Sequence, residues 1–412
     1  MKKLKTYGLS PYVTDSIDMM SEVLFLLLPL AAFSGWLMAR STYKKQLIKK
    51  QTCNYEPEYY KGLNFLLNEQ PDKAIDVFIN LLEVDTETVE THLALGSLFR
   101  KRGEVDRAIR IHQNLIARPS LNQEQRANAL LELGQDYMNA GLYDRAENLF
   151  SELYESGKLQ KKALENLREI YQQEKVWDKC LSIAKKLESI SDKNLGSEIA
   201  HYYCEISEEA FRKGDSNAAS ENIRKAKQAD PSSVRASMME AARQAGSNHC
   251  GKALKLYTQI IESDPMFIPE IIESVVSCYK QLNNIDELAS YLDKLFKKTR
   301  HSSVLRARVN LISQQQGNRA ALEYLQQQLL ENPKLQNLQL LIQLQMASEN
   351  RFEQDLLPVF SDVINEEISA RAAYSCRRCG FAAKTLHWQC PGCRSWGTIK
   401  PAPGQEMQSL TA

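Results

Sequence analysis

The stretch from Ser375 to Trp396 reads SCRRCGFAAKTLHWQCPGCRSW and holds four thiols in two matched pairs. Cys376 and Cys379 form one C-x₂-C unit, Cys390 and Cys393 the other, with ten residues between them. That spacing lets four thiolates converge on one metal ion tetrahedrally, each pair making a knuckle. Gly380 follows the first pair, and Pro391 and Gly392 split the second, which permits the tight turns that aim backbone N–H groups at sulfur. An accidental cluster of free thiols is the competing reading, but four of the nine cysteines fall within eighteen residues. With four thiolates and no open position, the site is expected to be structural rather than hydrolytic. Zinc and iron both accept four sulfurs, so spacing does not separate them. A divalent ion with four thiolates carries a charge of −2, which Arg377, Arg378, Lys384 and Arg394 can offset. The same cations could instead meet an acidic protein surface or anionic lipid, and the sequence leaves both open.

Other chemistry is hard to find. GSNHCGKA, residues 246–253, approaches a phosphate-binding loop, yet it lacks the hydroxyl that would hold Mg²⁺ and no strand is expected before it. The chain contains no H-E-x-x-H, G-x-S-x-G or G-x-G-x-x-G pattern. His92, His112, His201 and His249 fall in helical or turn sequence, where a hydrogen-bonded structural histidine is the default. No catalytic or cofactor-binding residue is therefore assigned, and the chain is read as a non-enzyme.

The elements around the thiols set their context. The chain has 412 residues, 43% apolar and 25% charged, an ordinary folded composition long enough for two to three domains. Cys53, Cys180, Cys204, Cys250 and Cys278 are scattered singly, and an odd total argues for a reducing compartment rather than a disulfide framework. The net charge is only +1, but residues 51–370 carry 38 basic against 47 acidic groups, about −9. Residues 40–50 and 371–400 carry five and six basic groups and no acid. An acidic middle thus lies between two basic ends.

Val23 to Ala39 is a run of seventeen residues without a charge, the lower limit for a membrane-spanning helix. Pro29 is tolerated in such helices, and Trp36 and Tyr43 suit the interface. The basic cluster follows the run, while Asp15, Asp18 and Glu22 precede it, so the positive-inside rule places the bulk of the chain in the cytoplasm. A cleaved signal peptide would carry its positive charge before the run, and a buried soluble helix would show a polar face.

The middle repeats. Aligning the small residue of each G-x-x-x-x-A turn places Ala74, Ala108, Ala146, Cys180, Ala219, Ala253, Leu288 and Ala321 in register, with a degenerate last member near Asp355. The separations are 34, 38, 34, 39, 34, 35, 33 and 34 residues. Pro231, Pro265 and Pro333 lie twelve residues after the small position, and Gly96 and Gly134 twelve before it. The period resembles the tetratricopeptide repeat, two antiparallel helices per ~34 residues. The small residue lets the second helix approach the first, glycine ends the first helix, and proline stops the second. Phe78, Leu149, Phe150, Leu256 and Tyr257 read as core by their helical spacing. Such arrays are curved solenoids whose inner face binds peptides or proteins.

The apolar start EVLFLLLPLAAFSGWLMAR, the repeat array and the ending SCRRCGFAAKTLHWQCPGCRSWGTIKP together resemble the lipopolysaccharide assembly protein B family of Gram-negative bacteria, from about Met20 to Pro401. The resemblance implies an all-α tetratricopeptide-repeat solenoid with one N-terminal transmembrane helix and a small C-terminal rubredoxin-like knuckle domain. Its parts would be an extension over 1–19 with a later true start, a transmembrane helix over 20–40 and a basic linker over 41–55. The array over 56–370, the metal domain over 371–401 and a tail over 402–412 follow. Cys376, Cys379, Cys390 and Cys393 carry over as the metal ligands, usually of iron, with zinc as the other candidate. The resemblance further implies an inner-membrane adaptor, single-pass with its bulk on the cytoplasmic side. It would regulate lipid A synthesis by promoting proteolysis of the deacetylase LpxC by the membrane protease FtsH. Other lipopolysaccharide assembly proteins are expected partners, nucleic acid is not, and self-association is left open. The alternative is a membrane-tethered rubredoxin-type electron carrier.

Overall fold

The computed structural model describes residues 33–40 except 37, 56–77 except 69, 71–72 and 75–76, 89–346 except 192 and 332, and 357–402. Residues 1–32, the basic linker over 41–55, Phe78, the repeat member near Asp355 and the tail beyond 402 lie outside them. Of the apolar run, Phe33–Trp36, Met38 and Ala39 are described and helical. Among the described residues no helix is long and apolar enough to cross a membrane. The described chain is mostly helical and falls into two compact units, residues 1–170 and 171–412.

The first unit contains α1 (Glu56–Leu67), α2 (Val89–Lys101), α3 (Val105–Ile116), α4 (Gln123–Asn139), α5 (Tyr143–Glu155) and most of α6 (Gln160–Gln173). α2 pairs with α3 and α4 with α5. Gly103 and Gly141 follow the first helix of each pair at φ of 82° and 74°, the left-handed region that closes a helix without a Cβ clash. Gly96 and Gly134 differ from that role, because they lie inside α2 and α4. A Cβ on Gly96 would come within 2.4 Å of the His112 ring, and one on Gly134 within 2.6 Å of the Phe150 ring. These glycines admit a ring from the second helix of the pair. Asn122 starts α4 with a capping box, its side chain accepting from the Gln125 amide at 2.8 Å.

The second unit continues with α7 (Trp177–Ile190), α8 (Gly196–Arg212), α9 (Ser216–Ala229), α10 (Val234–Gly246) and α11 (Cys250–Ser263). After a 3₁₀ turn (Pro265–Phe267) come α12 (Ile268–Gln281), α13 (Ile285–Thr299), α14 (Ser302–Gln316), α15 (Asn318–Glu331), α16 (Leu335–Met346) and α17 (Leu357–Ala370). α9, α11 and α15 all stop short of Pro231, Pro265 and Pro333, where the ring and its effect on the preceding residue forbid continuation. The first helices of successive pairs, α8, α10, α12, α14 and α16, pack side by side and line one face, here called the inner face. Among the described residues no strand precedes GSNHCGKA, which instead joins α10 to α11. The small positions Ala74, Ala108, Ala146, Cys180, Ala219, Ala253, Leu288 and Ala321 are all at most 3% exposed, as close helix approach demands.

Three short strands follow the last helix: β1 (Tyr374–Cys376), β2 (Ala382–Ala383) and β3 (Ile399–Pro401). They form an antiparallel sheet in the order β2-β1-β3, with Tyr374 opposite both Ala383 and Pro401. The buried core of this module is Tyr374, Cys376, Ala383, Cys390 and Ile399, too little apolar surface to fold residues 374–401 unaided.

Candidate metal centre

Each thiol pair is carried on a turn fixed by backbone hydrogen bonds. The Gly380 amide donates to the Cys376 carbonyl at 3.0 Å, and the Arg394 amide to the Cys390 carbonyl at 2.8 Å. The residue closing each turn is left-handed: Gly380 at φ 76° and Arg394 at φ 56°. The second turn thus accepts a conformation that a side chain disfavours.

The four sulfurs all lie within 4.8 Å of one another. Cys376 and Cys393 Sγ are 3.7 Å apart, as are Cys379 and Cys390 Sγ. A tetrahedral ion with metal–sulfur bonds of ~2.3 Å separates its sulfurs by about 3.8 Å, so the set fits one ion. The protein also supplies donors for thiolate charge. The Arg378 amide points at Cys376 Sγ from 3.4 Å, and Thr398 Oγ1 lies 3.3 Å from the same sulfur. The Thr398 hydroxyl, with the Cys379 and Arg378 amides, brings the Cys376 thiol down to about 6 against the cost of burial. Ser395, through hydroxyl and amide, lowers Cys393 as well. For Cys379 the Phe381 amide pulls down, but burial and the three other sulfurs prevail and push it up to about 12. Four thiols this close do not all ionise unless a cation joins them.

Comparison with known proteins places this geometry. Residues 374–401 match the family described as the rubredoxin metal binding domain, and residues 91–126 match the tetratricopeptide repeat. Lipopolysaccharide assembly protein B of Escherichia coli strain K12 is 39% identical over 388 residues, covering 93% of this chain and 99% of that protein. The chain belongs to the lipopolysaccharide assembly protein B family. The Haemophilus influenzae member is 36% identical over 399 residues, 94% of this chain and all of its own length. Among solved structures, the TPR2AB-domain:pHSP90 complex of yeast Sti1 matches at 14% identity, covering 55% of this chain and 97% of its own, with a TM-score of 0.27.

In this family member the four-cysteine metal-binding ribbon is seated on the inner face of the second unit. Trp396 stacks on His201 of α8 with centroids 5.1 Å apart, and meets Trp177 and Tyr202 edge-on at 6.0 and 5.8 Å. Trp388 stacks on Phe267 at 5.9 Å and covers the guanidinium of Arg235 at 5.6 Å. Gly397, at φ 63°, comes so close that a Cβ there would stand 3.1 Å from His201 Nε2. Around this centre, Tyr374 donates to Glu270 Oε1 at 2.5 Å and Lys400 pairs with Asp264 at 2.5 Å. Burial raises Glu270, with the Tyr374 hydroxyl acting against it. At least part of the tail's positive charge therefore serves an acidic surface that is the chain's own array.

The four cysteines named from the sequence lie in one cluster, whereas their seat on the array was missed. Sequence reading gave His201 a satisfied hydrogen-bonding role. His112 has one, with Nδ1 2.5 Å from Asp136 Oδ2. His201 does not: its Nδ1 is buried without a partner among the described residues, and its ring is used for stacking. Burial first, then the nearby Arg235, lower its pKa from 6.5 to about 4. The one signal available was the pair of tryptophans in a module too small to bury them itself.

Proposed function

We propose that this chain is a non-enzymatic, membrane-anchored adaptor in lipopolysaccharide assembly. The relatives' name supports the process, and the observation that carries the adaptor reading is the seating of the metal ribbon on the array's inner face. A redox carrier gains from an exposed, independent metal site. Here the ribbon instead commits both its tryptophans, Tyr374 and Lys400 to the array. Cys376, Cys379, Cys390 and Cys393 hold one metal ion, iron by family resemblance, whose contribution is the fold of the ribbon. Residues 20–40 anchor the chain in the inner membrane with the array on the cytoplasmic side. The array presents LpxC to FtsH, and confinement to the bilayer raises the effective concentration of adaptor at a membrane protease.

The test is LpxC half-life in cells carrying the full chain, the chain without residues 1–40, or a Trp388→Ala/Trp396→Ala variant. Both altered chains are expected to keep array helicity and to lengthen LpxC half-life several-fold. Unchanged LpxC turnover with a demonstrably unseated ribbon would contradict the adaptor reading. Full control by the soluble form would remove the anchor from it.

A further inference from the structure

We propose that the groove between α12 and α14 is a docking site for an extended, acidic segment of a partner protein. The inference deepens the adaptor reading and rests on it. The groove continues directly from the ribbon's seat. On α12, Glu270 holds Tyr374 of the ribbon, and the same helix then turns Ile272, Val276 and Lys280 towards Arg306 and Asn310 of α14. The inner face is thus covered by the chain's own tail up to Glu270 and forms an open cavity of about 220 Å³ beyond it.

Shape and chemistry define the occupant. The floor is apolar, with Ile272 and Leu311 buried and Val276 half-buried. The lining runs over about three helical turns, roughly 16 Å at 1.5 Å per residue, which suits some five residues of extended chain. The rim carries Lys280 and Arg306 against a single carboxylate, Glu273, on an array that is otherwise acidic. Lys280 Nζ bonds only to the neutral Gln314, at 3.1 Å. Among the described residues neither Lys280 nor Arg306 has an ion-pair partner, whereas Arg308 on the far side of α14 is paired with Asp293 at 2.8 Å. Two unneutralised cations over an apolar floor, with Asn310 on the same rim to meet backbone amides, select a peptide bearing carboxylates.

The experiment selects a displayed library of random decapeptides on the full chain in detergent micelles and sequences what is retained. Asp and Glu should be enriched at least tenfold over Lys and Arg. A Lys280→Glu/Arg306→Glu variant, with metal content and helicity checked, should lose that enrichment and favour basic peptides. If the double variant does not fold, Lys280→Gln and Arg306→Gln singly should each lower the enrichment about threefold. Absence of acidic enrichment, or enrichment that survives charge reversal, overturns the proposal. So does binding of phosphatidylglycerol vesicles that the same variants abolish, since the cations would then serve a lipid surface. If the groove fails while unseating the ribbon still lengthens LpxC half-life, the adaptor reading stands without it.

Discussion

The two units each place an arginine on the first helix of a pair between two carboxylates of a neighbouring first helix, and they finish the arrangement differently. In the first unit Arg100 of α2 reaches Glu132 and Asp136 of α4, both at 2.6 Å, and its remaining donors find the Glu132 carbonyl, Gln135 and Ser97. Asp136 in turn holds His112, so the polar cluster is closed on itself. In the second unit Arg235 of α10 reaches Glu205 and Glu208 of α8 at 2.8 and 2.7 Å with one nitrogen. Its Nε and Nη1 are buried with no acceptor among the described residues, and the guanidinium lies over Trp388 of the ribbon. A repeat-to-repeat clamp thus becomes a socket when its planar cation is offered to an aromatic ring rather than to further oxygens. What distinguishes the halves is the surface that a small, metal-held module needs.

That contrast can be broken hardest at the metal. Replacing Cys376 and Cys379 with Ser removes half the ligands and the folding energy they bring, on the order of 10 kcal/mol for structural sites. Metal analysis should find none bound, Trp388 and Trp396 emission should shift to the red, and array helicity should stay near native because repeats are held by their neighbours. Zinc-loaded chain, by contrast, should seat its ribbon as well as iron-loaded chain.

Next come the arginines. Arg100→Ala leaves the fully buried Asp136 without its cation and should cost roughly 3–5 kcal/mol locally, whereas Arg235→Ala leaves carboxylates that reach water and should cost less. Only Arg235→Ala should also free the ribbon, seen as protease cleavage near residue 370, and Arg235→Lys should not rescue it. Cleavage in both variants would mean that the two clamps do the same job.

Acid gives a similar but reversible effect. His201 has its folded pKa lowered from 6.5 to about 4, so the stability linked to it is present above pH 6.5 and lost as pH falls towards 4. A shift of that size corresponds to about 3 kcal/mol. Glu270 acts with the opposite sign, since its folded pKa is raised and its contribution is greatest below 4.5. Ribbon release followed by tryptophan emission should therefore set in between pH 6.5 and 4 in the native chain, and His201→Phe should remove that transition. The smallest change expected is a gain: Arg394→Gly relieves a left-handed residue at φ 56° and should raise ribbon stability by up to about 1 kcal/mol in apparent metal affinity.

Much of this was legible in the chain. The period of the array could be read because close helix approach needs a small residue at one place per repeat, and Ala108, Ala146 and Ala253 fill it completely buried. The thiol cluster could be read because its partners are local in sequence. The seat could not, because Tyr374 meets Glu270 across 104 residues and Lys400 meets Asp264 across 136, and no short-range pattern records such a pairing. Gly96 and Gly134 were ambiguous for another reason: a glycine that ends a helix and one that admits a ring are the same letter.

The central claim is that the metal keeps the inner face of the second unit covered. Hydrogen–deuterium exchange on the full chain, before and after the metal is stripped by a chelator, tests it most directly. Peptides spanning Ile199–Tyr203 and Asp264–Glu270 should exchange faster once the metal is gone, while those of α2 to α5 should not change. Stripped protein whose seat peptides stay as protected as before, or whose two units lose protection together, would contradict it.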